Sequence, residues 1–443
     1  MSSLLIQNGR IIDPVQKMDQ QGDLGIVNGK IHAIDTKLNP ADYDTCIDIK
    51  GMVAAPGLAD VHVHFRDPGL TYKEDIATGS AAAARGGFTT VITMANTKPA
   101  ADSPEIISYI LEEGKKTGIR VLPAATITKG MQGQELVDME ELVQAGAVGF
   151  TDDGVPICDE TLVIQAMKQS AALQMPLSFH EEDPHFIKNP GINHGIVSDA
   201  LGIEGAYASA EYVLTARDVM LALATGASIN IQHISSKEAV AAVAMAKKLG
   251  ANVHAEATPH HFSLTQDAVL TYGTLAKMNP PLRTEEDRQA ILAGLADGTI
   301  DLIATDHAPH SEAEKAKELL QAPSGIIGLE TSLALGITNL VRPGHLSLSD
   351  LLQKMSYNPL QLYHLEGGTF SYGTRADLVI FDPDCIWSVE NFASKASNSP
   401  FLHQKLYGKV LYTICEGKIV YQDQSLHSAK ARCRKLQASG IEL

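Results

Sequence analysis

Residues 56–66 read Pro56-Gly57-Leu58-Ala59-Asp60-Val61-His62-Val63-His64-Phe65-Arg66, an apolar run that ends in polar side chains. The run predicts a buried β-strand, and histidines at positions i and i+2 of a strand point to the same face. The imidazoles of His62 and His64 could therefore reach one metal ion. A His-x-His pair alone says little, because 16 histidines in 443 residues produce such pairs by chance. The pair gains meaning from the rest of the chain.

Seven further short apolar runs follow this one, and segments rich in Ala, Leu, Glu and Lys separate them. The segments 235–249 and 285–295 are typical of helices. Eight β-then-α units predict a (β/α)8 TIM barrel in the α/β class. A doubly wound open sheet is the weaker alternative, because the chain has no Gly-x-Gly-x-x-Gly motif. The predicted strands are 57–65, 89–94, 120–127, 146–151, 176–181, 228–234, 252–258 and 301–306.

The two ends of the chain follow another pattern, with short β-like runs separated by turns. Asn28-Gly29 between two such runs is a strong hairpin signal. Two β-rich ends around a different middle predict one small composite domain. We expect residues 1–55 and 367–424 to form this β-rich domain, 56–366 to form the barrel, and 425–443 to be a C-terminal tail.

Composition excludes several classes of function. The net charge is −17, with Lys and Arg clustered only near the C-terminus, so the chain is not expected to bind nucleic acid. The sequence has no run of 18 apolar residues, so no membrane span is predicted, and the N-terminus lacks the pattern of a secretory signal. The five cysteines are odd in number and none lies in a CxxC pair. This usage favours a cytoplasmic location.

Polar residues stand at the ends of five predicted strands, and the carboxyl ends of barrel strands carry the catalytic groups. Histidine and aspartate together are the ligand set of a hydrolytic site with one or two metal ions, and they suit zinc. The residues are His62, His64 and Arg66 after the first strand, Asp152 and Asp153 after the fourth, His180 after the fifth, His233 after the sixth and Asp306 after the eighth.

Each of these residues also has a structural interpretation. A single histidine at a strand end is more often a hydrogen-bonded structural residue than a ligand. Asp152 and Asp153 could shape a turn, and Asp306 could be a helix N-cap. All of these alternatives would have to hold together at five converging strand ends, which favours the metal site. We interpret His260 and His261 as supporting or structural residues.

With these residues in place, the chain resembles the amidohydrolase superfamily and, more closely, the bacterial class I dihydroorotases. The resemblance runs from Asn8-Gly9 to Glu416-Gly417. The segments that carry it are Asp60 to Gly69, Ala84 to Thr90, Asn96-Thr97, Thr151 to Gly154, His233 to Lys237, Glu256 to His261, Lys277 to Arg283 and Ala304 to His310.

The resemblance implies a role for each residue of the centre. His62, His64 and Asp153 would hold one zinc ion, and Asp153, His180 and His233 a second. Many relatives bridge the two ions with a carboxylated lysine, but the fourth strand here ends without a lysine, so Asp153 would bridge. Asp306 would bind the first ion and carry protons as the catalytic residue.

Substrate contacts are also implied. Arg66, Asn96 and His310 would clamp the substrate carboxylate, and Asn279 would meet the ring. Pro323 and Gly325 would complete the contacts. They flank Ser324, which stands where many relatives have Phe, just as Ala95 stands where many have Pro. The long segment 308–328 is predicted to be a mobile loop that closes over substrate.

The implied activity is that of a dihydroorotase, which reversibly cyclises N-carbamoyl-L-aspartate to L-dihydroorotate plus water in pyrimidine (UMP) biosynthesis. One or two zinc ions per chain, a homodimer and an association with aspartate transcarbamoylase are expected. One alternative is another cyclic amidohydrolase, of the allantoinase or hydantoinase type. Another is a metal-free barrel that only supports a partner enzyme.

Overall fold

A computed structural model describes residues 2–424, so the predicted tail at 425–443 lies outside the described residues. The chain opens with a set of strands that pair into a sheet. Asn28 and Gly29 have φ of 49° and 74°, so both residues of the predicted hairpin turn are left-handed, as a tight two-residue turn requires. The strands are β1 (Ser3–Asp13), β2 (Met18–Val27), β3 (Lys30–Asp35), β4 (Thr45–Asp48) and β5 (Val53–Pro56).

Eight parallel strands follow, and each corresponds to one of the eight predicted strands. They form two arcs. Parallel bridges between Ala125 and Phe150 and between Val63 and His307 join the arcs into a closed barrel. The (β/α)8 prediction is therefore confirmed. The strands are β6 (Leu58–Val63), β7 (Phe88–Thr93), β8 (Arg120–Pro123), β9 (Phe150–Thr151), β10 (Leu177–Phe179), β11 (Ile229–Ile231), β12 (Val253–Ala257) and β13 (Leu302–Ile303).

Seven of the eight strands are shorter than predicted, and β7 has the predicted length but begins one residue earlier. The fourth begins at Phe150 rather than at 146, because Gly146 has φ of 110° and serves as the C-cap of the preceding helix. The fifth ends at Phe179, so His180 lies just beyond the strand. The chain leaves the hydrogen-bonded ladder where its side chains turn towards the mouth of the barrel.

Helices alternate with the barrel strands. The predicted helices 235–249 and 285–295 correspond to Lys237–Lys248 and Glu285–Asp297. The helices are α1 (Ile76–Gly86), α2 (Pro104–Lys115), α3 (Met139–Ala145), α4 (Glu160–Leu173), α5 (Ile196–Ala200), α6 (Ser209–Thr225), α7 (Lys237–Lys248), α8 (Pro259–Ser263), α9 (Ala268–Tyr272), α10 (Glu285–Asp297), α11 (Glu312–Lys315), α12 (Ser332–Gly336), α13 (Leu348–Met355) and α14 (Tyr357–Leu362).

The last strands return to the first sheet. They are β14 (Leu378–Ser388), β15 (Lys405–Cys415) and β16 (Lys418–Gln422). The sheet has the order β16-β15-β14-β5-β1-β2-β3, with β4 paired to β1. Its central junction is the antiparallel pairing of β14 with β5, which joins the two ends of the chain. This confirms a β-rich part built from both termini.

The part of the chain that the structure describes contains no helix long and apolar enough to cross a membrane.

Candidate metal centre and substrate cavity

The predicted ligands meet at one rim of the barrel, because parallel strands present their carboxyl ends on the same side. His233 and Asp306 have φ of 31° and 48°. Left-handed backbone is uncommon outside glycine, and aspartate and histidine are among the residues that adopt it most readily, so both positions mark tight turns at the strand ends. Two groups of buried side chains have ligand atoms within 4.8 Å of one another: His62, His64 and Asp153, and Asp153, His180 and His233.

The first group surrounds one carboxylate. Oδ1 of Asp153 lies 3.4 Å from Nε2 of His62, and Oδ2 of Asp153 lies 3.4 Å from Nε2 of His64. Asp306 approaches from β13, with Oδ1 2.9 Å from Nε2 of His64 and 3.5 Å from Nε2 of His62. Two imidazoles and two carboxylates thus face a common point.

The second group shares Asp153 with the first. Nδ1 of His180 lies 2.9 Å from Nε2 of His233. Oδ1 of Asp153 is 3.6 Å from the former nitrogen and 3.8 Å from the latter. Asp153 is therefore the residue placed between the two histidine pairs, which is the position expected of a bridging ligand.

Three polar residues orient the imidazoles. Glu256 on β12 accepts a hydrogen bond from Nδ1 of His62 at 2.6 Å. Nδ1 of His64 donates to Asn96 at 2.9 Å, and Nε2 of His180 donates to Glu182 at 3.0 Å. Each bond fixes which ring nitrogen carries the proton and leaves the other nitrogen facing the centre.

Glu256 and Glu182 were not among the predicted site residues. Glu256 carried a detectable signal, since it is an acidic residue inside a predicted apolar strand. Glu182 carried none, because its partner is known only once the chain has turned after β10.

A cation fits this arrangement. Nε2 of His62 is buried and has no hydrogen-bond partner among residues 2–424. In a neutral ring whose Nδ1 proton goes to Glu256, that nitrogen presents a lone pair, and Nε2 of His64 presents another for the same reason. With both rings in this neutral form, their lone pairs and the carboxylates of Asp153 and Asp306 would converge on one point. Such a cluster of electron-rich atoms is the donor set of a metal site.

Electrostatics keep the carboxylates charged. Burial alone would raise the pKa of Asp153, but His62, His180 and His233 hold that pKa well below its ordinary value. Asp306 likewise keeps a low pKa beside His62 and His64 despite its burial. Burial and then the charge of Arg66 lower the pKa of His64, which favours the neutral imidazole that a metal ligand requires.

A cavity of about 390 Å³ opens above the centre. All six predicted substrate contacts line it, together with Lys277 and Ser324. The structure therefore brings the expected metal ligands and the expected substrate contacts to one site. The six are Arg66, Asn96, Asn279, His310, Pro323 and Gly325.

Arg66 lines the cavity although it lies beyond the end of β6 at Val63, where strand alternation no longer sets the direction of a side chain. Arg66 has φ of 60°, and its Nε donates to the carbonyl of Pro309 at 3.3 Å. A turn at the strand end, held by the segment after β13, thus aims the guanidinium at the cavity.

The other polar residues predicted to contact substrate differ in their hydrogen bonds: Asn96 and His310 are bonded within the protein, and Asn279 has an unpartnered oxygen among the described residues. Asn96 donates to Oδ2 of Asp153 at 3.2 Å. Nε2 of His310 donates to the carbonyl of Ser324 at 2.8 Å, and its Nδ1 lies 3.2 Å from Nζ of Lys73. Burial and the nearby cations lower the pKa of His310 to about 2, so the ring is neutral. Oδ1 of Asn279 is buried and unpartnered within the described chain.

Asp152 faces away from this centre. Its Oδ1 accepts from the main-chain N–H of Ile127 at 2.7 Å and of Thr128 at 3.2 Å. This matches the structural interpretation of Asp152 and separates its role from that of its neighbour Asp153.

Comparison with known proteins identifies the family to which the chain belongs. A family described as dihydro-orotase-like matches residues 51–239. The dihydroorotase of Clostridioides difficile (strain 630) is 58% identical over 418 residues, covering 94% of this chain and 99% of that protein. The dihydroorotase of Clostridium acetobutylicum is 53% identical over 423 residues, covering 95% of this chain and all of that protein (100%).

Solved structures share the architecture. L-Hydantoinase (dihydropyrimidinase) from Arthrobacter aurescens superposes with a TM-score of 0.85 at 24% identity, covering 95% of this chain and 96% of that chain. Dihydropyrimidinase from Brevibacillus agri NCHU1002 gives a TM-score of 0.83 at 21% identity, covering 95% of each chain. These likenesses support the fold alone, whereas the identities above extend over nearly the whole chain, so the protein is a cyclic amidohydrolase that belongs to the dihydroorotase family.

Proposed function

We propose that this chain holds one or two zinc ions at the Asp153 centre and uses them to interconvert N-carbamoyl-L-aspartate and L-dihydroorotate plus water in pyrimidine biosynthesis. The observation that carries the proposal is the position of Asp153. It lies between two histidine pairs at the base of a cavity that Arg66 also lines.

Zinc suits the donor set. Nitrogen and oxygen ligands sit about 2.1 Å from zinc, so neighbouring ligands of a tetrahedral ion lie about 3.4 Å apart. Asp153 lies 3.4 Å from Nε2 of both His62 and His64. Asp306 offers a fourth ligand to this ion, and Asp153, His180 and His233 offer three to a second.

When bound, zinc lowers the pKa of a coordinated water from 15.7 to about 7 and polarises a carbonyl oxygen. Asp306 is proposed to transfer the proton in the reaction. Its carboxylate faces the centre in the charged form, so it can accept the proton of the attacking water. In hydrolysis the ring C–N bond breaks and Asp306 returns the proton to the leaving nitrogen. In cyclisation the same carboxylate takes a proton from the ureido nitrogen as the C–N bond forms. It passes this proton to the carboxyl oxygen whose C–O bond breaks, and that oxygen leaves as water with a second proton from solvent.

Arg66, Asn96 and His310 are proposed to bind the carboxylate that stays unchanged in the reaction. For His310 this means that the carboxylate takes over the Nε2 proton that the Ser324 carbonyl accepts in the free protein. Arg66 offers a planar fork, which matches a carboxylate better than an ammonium does. Asn279 is proposed to accept a hydrogen bond from the substrate ring, because its Oδ1 is buried without a partner in the described residues. Pro323 and Gly325 are proposed as the wall against which the ring packs.

The most direct test is an assay of purified protein on L-dihydroorotate, allantoin and dihydrouracil side by side, with the metal content measured on the same sample. We expect turnover of L-dihydroorotate far above that of the other two, and zinc in the protein. A preference for dihydrouracil or allantoin would assign the site to another cyclic amidohydrolase. Protein that is active after complete removal of metal would contradict the zinc proposal.

Three further expectations remain proposals: a homodimer, an association with aspartate transcarbamoylase, and a cytoplasmic location. The boundaries at 55/56 and 366/367 are also predictions. Light scattering of the purified chain, alone and mixed with the transcarbamoylase, measures the first two.

A further inference from the structure

Two lysine side chains are buried beside the cavity, where lysine is rarely found. Lys277 is 3% exposed and Lys315 is 6% exposed. Lys277 follows α9 and itself lines the cavity, whereas Lys315 is the last residue of α11. Neither ammonium group lies within 4.0 Å of a carboxylate among residues 2–424, so their charges are compensated in another way.

Main-chain carbonyls of a single segment provide that compensation. Nζ of Lys277 donates to the carbonyls of Leu319, Leu320 and Ala322 at 2.9, 3.3 and 2.8 Å. Nζ of Lys315 donates to the carbonyls of Pro323 and Gly325 at 2.9 and 3.1 Å. Five carbonyls within seven residues therefore point at two cations.

Main-chain contacts tie the same parts together. The N–H of Gly325 donates to the carbonyl of Lys277 at 2.8 Å. Oγ1 of Thr274 donates to the carbonyl of Lys315 at 2.6 Å. Side-chain and main-chain hydrogen bonds thus join the two lysines to the 319–325 segment.

The segment forms a wall of the cavity. Leu320, Ala322, Pro323, Ser324 and Gly325 all line it. The carbonyl of Ser324 also accepts the hydrogen bond from His310. A shift of the segment would therefore move both the wall and the imidazole that is proposed to bind the substrate carboxylate.

We propose that Lys277 and Lys315 are positioning residues for the reaction: their ammonium groups hold the 319–325 segment by its carbonyls and so preform the wall against which an anionic substrate binds. The identity of what the wall binds rests on the proposed function. The contacts by which the two lysines hold the 319–325 segment do not. Lys277, which itself lines the cavity, also contributes positive potential there, which favours a substrate that carries carboxylates.

The first test uses the unmodified protein without ligand. Amide hydrogen exchange of Gln321, Ala322 and Gly325 should be slow, because their N–H groups are bonded inside a clamped segment. Exchange as fast as in an exposed peptide would overturn the proposal, and it would do so whether or not the protein hydrolyses dihydroorotate.

The second test replaces the lysines singly, as Lys277→Met and Lys315→Met, which keep the length and remove the charge. We expect exchange in 319–325 to quicken about tenfold or more in each variant, the scale of one lost bond from a charged donor. KM for dihydroorotate should rise by a similar factor of about ten while kcat changes less, because the wall contacts ground state and transition state alike. Zinc content should stay the same.

Lys354→Met is the matched control. Lys354 is also buried, at 8% exposed, and its Nζ donates to the carbonyl of Ile300, before β13. It should lower stability without altering KM or exchange in 319–325. Equal effects of Lys315→Met and Lys354→Met on KM and on that exchange would show that Lys315 acts only through the overall stability of the protein, and would overturn the proposal. If a methionine variant does not fold, Lys315→Gln, which keeps donors without the charge, gives the same comparison.

Discussion

At the residue scale, Asp306 is proposed to combine two tasks, contact with the metal centre and transfer of a proton. Its Oδ1 lies 2.9 Å from Nε2 of His64, and its pKa is held low. Asp306→Asn keeps the size of the side chain but removes the carboxylate base. We expect turnover to fall by at least about 10²-fold, the lower range for general acid–base catalysis. Steady-state kinetics at saturating substrate measure it.

Asp152→Asn is the control for that loss. Asp152 is buried beside the same centre, but its oxygens bind main-chain N–H groups of Ile127 and Thr128. Its replacement should cost stability and spare most of the turnover. An Asp306→Asn enzyme within a few-fold of the unmodified one would mean that another group moves the proton.

Glu256 gives a prediction that concerns metal affinity rather than chemistry. It holds Nδ1 of His62 and also accepts from Nδ2 of Asn230 at 2.9 Å. Glu256→Gln removes the charge that keeps the His62 ring oriented and basic. Zinc affinity should fall about 10- to 100-fold, as for other residues that orient metal ligands. Competition with a chelator measures it, and Glu330→Gln, at a buried glutamate that pairs with Arg85 and not with a histidine of the centre, should leave it unaltered.

Arg66 is predicted to select for a substrate carboxylate. Arg66→Lys keeps the charge but loses the fork, so kcat/KM for dihydroorotate should weaken by on the order of 1–3 kcal/mol. Dihydrouracil lacks the carboxylate, and its kcat/KM should change far less. Equal losses on both compounds would show that Arg66 supports the fold of the mouth rather than the substrate.

At the element scale, the strand pattern predicted where polar chemistry would lie, and the turns decided how it is aimed. His62 and Asp153 could be placed from the apolar runs that precede them. The approach of Glu256 to His62 could not, because it joins residues 194 positions apart, and the order of the strands does not state which side chains meet inside the barrel. The same holds for the carbonyls around Lys277, which become a group only after two loops have packed.

The segment 308–328 shows a local conflict between pattern and structure. Its length and composition predict a mobile loop that closes on substrate. The structure instead shows α11 within it and the 319–325 part bound by Lys277 and Lys315. We expect ligand to slow exchange little in 319–325, because the segment is already ordered, and any closing motion to concern residues before it.

Lys315 also makes a prediction about pH. Burial, followed by the charge of Lys277, lowers its pKa to about 7 in the folded chain from an ordinary value of 10.5. Between these values the unfolded chain binds more protons, so this group adds stability as pH rises. The urea concentration at the unfolding midpoint of the unmodified protein, relative to that of Lys315→Met, should therefore rise between pH 7 and about pH 10. A difference that does not vary with pH would contradict the assigned shift.

At the scale of the whole molecule, the segment between β14 and β15 supports loops around the cavity. Asn398, beyond the barrel, donates to the carbonyls of Ala308 and Gly325 at 3.1 Å each and accepts from the N–H of His310. Glu74, after β6, accepts from the N–H of Lys395 at 3.1 Å. The C-terminal part thus supports the loops that shape the cavity, which local sequence patterns did not reveal.

Removal of the metal should affect the whole fold. Four imidazoles and two carboxylates converge at the centre, and a bound cation relieves the repulsion among the carboxylates and lone pairs there. A ligand that binds only the folded state raises the melting temperature. Chelator-treated protein should therefore be inactive and melt at a lower temperature, and added zinc should restore both. An unchanged melting temperature after complete removal would place the metal outside this centre.

Cutting the chain after residue 366 tests how far the barrel depends on its return to the first sheet. Such a chain keeps every predicted site residue, yet it loses β14, the antiparallel partner of β5. The lost strand covers apolar side chains of the first sheet, and the exposed edge invites aggregation. We expect insoluble or inactive protein, and recovery of activity when residues 367–443 are produced alongside it as a second chain. A cut chain that alone retains zinc and full turnover would show that the barrel is an independent domain and that Asn398 has no part in shaping the cavity.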